Sequence, residues 1–258
     1  MNKSDFFRFE RKNDDFPFYS ELQSPTLNLK NSLIFLIAVA VGFALFLIEF
    51  GGANVQPFMN VIFPLAALIF VARSQWTSIF RKLVAKDIIL ILGTYIVNLI
   101  VTFAVGSLLT KLFSTSANPV GESFNGNFAD ALPMFLKMIP MLFGEELITI
   151  LPFLVALAFG VKKLKMSRKS AIILACVVSA ILFGAYHLPT YNWNIVQAVI
   201  GIGIARIILL YPYLKTKNIW TSFIVHVMND WTLFGINSLI RSKQGLLRQR
   251  TSKSPATP

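Results

Sequence analysis

The chain has 258 residues, 55% of them hydrophobic and 14% charged, and a mean hydropathy of +0.65, which excludes a water-soluble domain because no such domain hides that much apolar surface. Twenty-four lysines and arginines against twelve acidic residues give +12, and since the excess sits in short stretches between apolar runs it reads as membrane orientation rather than nucleic-acid binding. Cys176 is the only cysteine and lies in an apolar run, so neither an intrachain disulfide nor a thiolate cluster is possible.

The expected fold class is all-α, a polytopic transmembrane helical bundle of seven or eight spans. A polar, basic tail (1–32) with Lys3, Arg8, Arg11, Lys12 and Lys30 comes first. The apolar run that begins near Leu33 lacks a small-x-small cleavage pattern and is read as a retained span. No myristoylation glycine or prenylation cysteine is visible at the two ends, so lipid anchoring by those signals is not expected. Spans are predicted at about 33–50, 55–72, 86–109, 139–160, 170–188, 193–214 and 218–240. Gly51-Gly52-Ala53-Asn54 is a tight turn between the first two, and Pro64 interrupts the second. The polar stretch from Leu112 to Lys137, with Ser114, Asn118, Pro119, Gly121, Asn125 and Gly126, is the one sizeable loop, whose later part is expected to form a short interfacial helix.

Basic residues alternate with the spans: the tail, then Arg73 to Lys86, then Lys162 to Lys169, then Lys215 and Lys217. All four fall on one side if the N-terminus is cytoplasmic. The basic tail 241–258, with Arg241, Lys243, Arg248, Arg250 and Lys253, disagrees with seven full crossings. No internal repeat is visible.

Ionisable groups inside apolar spans cost about 2.5–3.5 kcal/mol each on insertion scales, and this chain concentrates them late. Glu145 and Glu146 are adjacent in one apolar helix, where neighbours point ~100° apart; their bland reading is capping of a helix start. The two histidines close a span (Phe183-Gly184-Ala185-Tyr186-His187) and occupy the last one (His226-Val227-Met228-Asn229-Asp230). Phe183 with His187, and His226 with Asp230, are one turn apart and share a face. A lone histidine is more often a packing residue. Every histidine, a Glu pair and an Asp in three late helices is a costly set to retain for packing alone. Such a set suits activation of water for attack on an amide, with Glu as base and His and a carboxyl or amide group at the oxyanion. The same residues, Glu145, His187 and His226, could instead ligate zinc; the His-Glu-x-x-His signature is absent.

Glu-Glu, then Phe-x-x-x-His, then His-x-x-x-Asn/Asp on successive helices resembles the CPBP intramembrane proteases, also called the CAAX protease or Abi family. Tyr213-Leu214-Lys215-Thr216-Lys217-Asn218 resembles the Tyr-x-x-Thr-Gly-Asn-like turn common there. The likeness covers about 135–240, a catalytic transmembrane core; spans in 33–134 carry no familiar motif. The resemblance implies that Glu145 is the general base, that His187 helps position water, that His226 and Asp230 stabilise the oxyanion, and that Glu146 orients; Phe183, Asn229 and Arg206 are read as supporting residues. The family's first motif usually ends in Arg, where this chain has Ile150. Arg206 in the sixth span either supplies that charge or snorkels and pairs with Asp230.

A depth estimate opposes convergence. Glu145 and His187 lie roughly 25 Å from the basic 161–169 loop but His226 only ~12 Å from Lys217, so straight helices would separate them; Pro152, Pro189 and Pro212 permit kinks. The reading is an intramembrane endopeptidase acting on a membrane-associated peptide or protein, in a bacterial plasma membrane, for peptide processing or bacteriocin self-immunity. Its expected partners are membrane lipid and that substrate, with no nucleic acid. The alternatives are a non-catalytic immunity or scaffolding protein, favoured by Ile150, and a small transporter using Glu145, Arg206 and Asp230.

Overall fold

A computed structural model describes residues 5–12, 14–116, 118 and 128–252. Among these residues seven α-helices follow in order: α1 Leu29–Leu47, α2 Met59–Ala72, α3 Ala85–Leu112, α4 Phe128–Lys162, α5 Arg168–Tyr186, α6 Gly203–Thr216 and α7 Ile219–Ser252. No strand occurs among the described residues. Among the described residues six helical stretches are long and apolar enough to cross a membrane: Leu29–Leu47, Gln56–Ile79, Ala85–Leu112, Leu132–Lys162, Arg168–Tyr186 and Val196–Thr216. The protein is thus a multi-pass helical bundle. The expected seventh span is α7, which is outside that set and runs on past 240 to Ser252.

Local chemistry sets the helix ends. Asn28 accepts from the Asn31 N–H at 2.8 Å and starts α1, while Ser167 accepts from Ser170 N–H at 3.2 Å and starts α5. Gly51 and Gly52 turn the chain after α1 with φ of +75° and +76°, a conformation only glycine adopts without strain. Pro64 is accommodated inside α2, and Pro133, Pro140 and Pro152 inside α4. The stretch expected to hold a short interfacial helix lies largely outside the described residues, Gly121, Asn125 and Gly126 among them; from Phe128 onward the chain belongs to α4.

Helix α4 is the central column, packed by α5, α2, α7 and α1, and it is the most buried of the six spans. Sheathing one end is the N-terminal segment, which is no free tail. Phe16, Phe18, Tyr19 and Leu27 are part of the main core. Phe16 lies 5.3 Å from the Phe153 ring and 5.8 Å from Tyr213. Its carboxylates gather the basic connectors that sequence alternation assigned to one side: Glu10 takes Arg168 (2.8 and 2.7 Å) and Lys217 (2.8 Å), Asp15 takes Arg168 (2.8 Å), and Asp14 takes Arg81 (2.5 Å). Arg11 reaches Asp87 on α3.

This segment resolves the depth objection. The helices either side of the α6–α7 turn pack against the middle of α4. Tyr213 meets Phe153 edge-on at 5.9 Å, and Trp220, in the first turn of α7, stacks on Phe143 at 5.4 Å. Measured from there, Glu145 is ~12 Å along α4 from Phe153, and His226 is ~13 Å along α7 from Lys217. The levels match, as the 2.9 Å approach of His226 to Glu146 shows, and residues 5–12 and 14–28 cover the turn. Lys217 was read as marking a surface, yet it is fully buried, over Phe16 (5.1 Å) and Phe6 (5.8 Å). It is left-handed at φ 53°, which accounts for glycine in the turn it resembles.

Candidate active site

Three helices and one helix end meet behind this turn. Glu145 and Glu146 come from the middle of α4. Gly144 before them lets α2 approach: a Cβ there would stand 2.6 Å from the Asn60 side chain and 2.9 Å from its backbone carbonyl carbon. Gly144→Ala is therefore expected to push α2 off α4 and destabilise the fold by about 1–3 kcal/mol, read as a lower melting temperature of the detergent-solubilised protein. Gly184 on α5 makes a similar approach to Ala198 and Val199, in the π-helical turn Val196–Ile202 that precedes α6.

The two carboxylates, ~100° apart on the helix, enter different environments. Glu146 is fully buried and fully satisfied. Arg206 of α6 donates to both its oxygens (2.6 and 2.9 Å), Ser222 Oγ donates to Oε2 (2.6 Å), and the His226 Nδ1–H bonds Oε1 (2.9 Å). Of the two readings of Arg206, the structure takes the first: it supplies from α6 the cation that the resembled motif carries at the position of Ile150. It does not pair with Asp230. A forked guanidinium on a carboxylate is the strong geometry for such a pair.

Glu145 has no such partner. Its Oε2 lies 3.7 Å from His226 Nε2 and 3.9 Å from His187 Nε2, too far for direct hydrogen bonds and suited to one bridging water. Both rings are oriented from behind. His187 Nδ1 sits 2.8 Å from the Phe183 carbonyl, which can only accept, so Nδ1 carries the proton and Nε2 presents a lone pair. His226 Nδ1–H is fixed by Glu146, aiming its Nε2 at Glu145 and at Asp230, whose Oδ1 is 3.9 Å away. Phe183 stands among them: Arg206 lies 4.7 Å over its ring, and the His187 and His226 rings are 4.6 and 6.0 Å away. Asn229 donates to Asp230 at 3.1 Å. All eight residues singled out in the sequence thus gather here.

Zinc at this point would need ~2.0–2.2 Å to each donor, hence ligand separations near ~3.4 Å in a tetrahedron; the observed 3.7 and 3.9 Å exceed this. Among the described residues no group of three His, Cys, Asp or Glu has the spacing of a metal centre. The three side chains are not drawn together as a metal centre, and no step below runs through an ion.

Residues the sequence reading did not single out complete the walls. Ser222 holds Glu146. Asn60 of α2 donates to the Tyr186 hydroxyl at 2.6 Å, beside His187, and Asn98 of α3 donates to Asn229 at 2.9 Å. The signal available for Asn60 and Asn98 was a neutral amide inside an apolar span.

A family model described as type II CAAX prenyl endopeptidase Rce1-like matches residues 127–232. Residues 127–232 are thus similar to an Rce1-like domain. The matched stretch contains every residue of the Glu145–His187–His226 cluster, and the likeness is to the kind of intramembrane protease that the three motifs implied. Helices α1 to α3 lie outside it. No curated protein and no solved structure matches the chain.

Proposed function

We propose that this protein is an intramembrane endopeptidase that hydrolyses a peptide bond in a membrane-associated peptide or protein without a catalytic metal. The observation that carries the reading is the pair of imidazole Nε2 atoms, each locked from its Nδ1 side, that flank the Glu145 carboxylate at 3.7 and 3.9 Å. Glu145 and His187 both present acceptors, so a water between them donates both its protons inward and turns a lone pair outward. As that oxygen attacks the carbonyl carbon, Glu145 takes one proton. The electron pair of the carbonyl moves to its oxygen, where His226 Nε2–H donates to the oxyanion while Glu146 and Asp230 balance the charge on the imidazole. Collapse breaks the C–N bond, and the proton on Glu145 passes to the leaving amine.

The motif position occupied by Ile150 does not count against catalysis, because Arg206 meets the same need. Peptide processing or bacteriocin self-immunity in a bacterial plasma membrane remains the biological setting we favour. The matched family's description adds prenylated peptides to the candidate substrates.

The test is incubation of the purified protein with membrane peptides, prenylated and unprenylated, with products read by mass spectrometry. Glu145→Gln and His187→Ala should each reduce cleavage by about 10²–10⁴-fold at unchanged protein level; cleavage that survives the double substitution overturns the assignment. Activity is expected to be unchanged after metal stripping with a chelator. Loss that zinc restores would favour the metal-ligand alternative.

A further inference from the structure

Helix α3 lies outside the Rce1-like domain and is apolar along most of its length, yet it sends one fully buried amide, Asn98, to the edge of the site. Its Nδ2 donates to Asn229 Oδ1 at 2.9 Å; Asn229 Nδ2 donates to Asp230 Oδ1 at 3.1 Å; and Asp230 Oδ1 faces His226 Nε2 at 3.9 Å. Chemistry fixes the direction of this chain. A carboxylate only accepts, so Asn229 must turn its N–H towards Asp230 and its oxygen away. The group that meets that oxygen must then donate, which Asn98 does. Docking of α3 on α7 does not need it, since Tyr95 and Thr232 already join those helices by a 2.7 Å hydrogen bond. Asn98 also keeps an Oδ1 that is buried with no partner, a penalty hard to explain by packing alone.

We infer that Asn98 is a positioning residue for the reaction: by fixing the orientation of the Asn229 carboxamide, it holds the Asp230 carboxylate turned towards His226. The inference rests on the peptidase reading for its kinetic consequence but not for its geometry. Asn98 reaches the reacting atoms only through two other side chains, so its loss should be felt in turnover and not in substrate binding.

The experiment uses the full chain in detergent or nanodiscs. Asn98→Ala should lower kcat roughly 10–100-fold, the effect of losing one hydrogen bond that orients a charged group, with KM unchanged. Because the chain has only two histidines, ring-labelled histidine NMR reads the same device without any substrate. The His226 ring signals should move and those of His187 should not, with His187→Gln used for assignment. A raised KM at unchanged kcat, or His226 signals identical to wild type, overturns the inference.

Polarity reversal gives a second arm should Asn98→Ala fail to fold. Asn98→Asp puts an acceptor opposite Asn229, flips its amide and turns oxygen against oxygen at Asp230, so activity should fall further than with alanine. Adding Asp230→Asn supplies a donor for the flipped oxygen and should restore at least part of the loss; a double variant as poor as the single one overturns the inference. If the wild-type protein cleaves nothing, the peptidase reading falls, while the NMR comparison still decides the role of Asn98.

Discussion

Arg206→Leu is expected to cost about 3–5 kcal/mol of stability, the usual result of removing one partner of a fully buried ion pair, and to abolish cleavage even where protein survives. Both Arg206 and Glu146 are completely inaccessible, so the abandoned carboxylate has neither water nor a cation. It would then compete for the His226 Nδ1 proton and release the ring from its aim at Glu145. Arg206→Lys should rescue little: a single ammonium cannot donate to both Glu146 oxygens as the fork does at 2.6 and 2.9 Å. Returning the cation to its motif position by combining Ile150→Arg with Arg206→Leu should recover part of the loss, since position 150 lies one turn from Glu146 on the same face. Ile150→Arg alone should destabilise, because it adds a second charge to a fully buried site. Melting temperature in detergent and membrane abundance measure the first effect, and product formation measures the second.

Glu10→Ala should detach the N-terminal segment, again at about 3–5 kcal/mol because it strands Lys217 in a buried cage. Its signature is the pH profile. Burial alone would raise the Glu10 carboxyl, but hydrogen bonds from Arg168, Lys217 and the Phe7 N–H prevail and hold it below its ordinary 4.5. A carboxyl depressed in the folded state contributes stability that is complete above 4.5 and is lost as pH falls through its lowered value. Lys217 is held below its ordinary 10.5, chiefly by burial and against the pull of Glu10. The unfolded chain therefore binds that proton more tightly, and stability rises with pH as the medium approaches 10.5. Melting temperature against pH should show both steps in wild type. In Glu10→Ala the acid step attributable to this carboxyl should vanish and the alkaline one should grow.

The all-helical class and the grouping of the candidate residues were legible because both depend on short-range signals. Apolar length marks spans whatever they pack against, and one-turn spacing puts Phe183 with His187 and His226 with Asp230 wherever those helices go. What needed coordinates was adjacency and level. Chain order does not say that α6 abuts α4, so whether Arg206 met Glu146 or Asp230 stayed undecided. Lys217 is charged, and charge reads as surface; only the carboxylate of Glu10 and the rings of Phe6 and Phe16, from the opposite end of the chain, explain how it is buried. Asn98 and Ser222 escaped because neutral polar side chains in a span are common enough to pass as helix contacts.

The clasp of residues 5–28 over the α6–α7 turn also orders assembly in time. Glu10 leaves the ribosome long before Arg168, 158 positions downstream, and before Lys217 later still. Until those cations exist its carboxylate has neither of them to bind, so the clasp closes only after six helices have been made. Closure over Lys217 seats the root of the helix bearing His226, and a nascent chain that already carries Glu145 and His187 therefore does not yet have this wall.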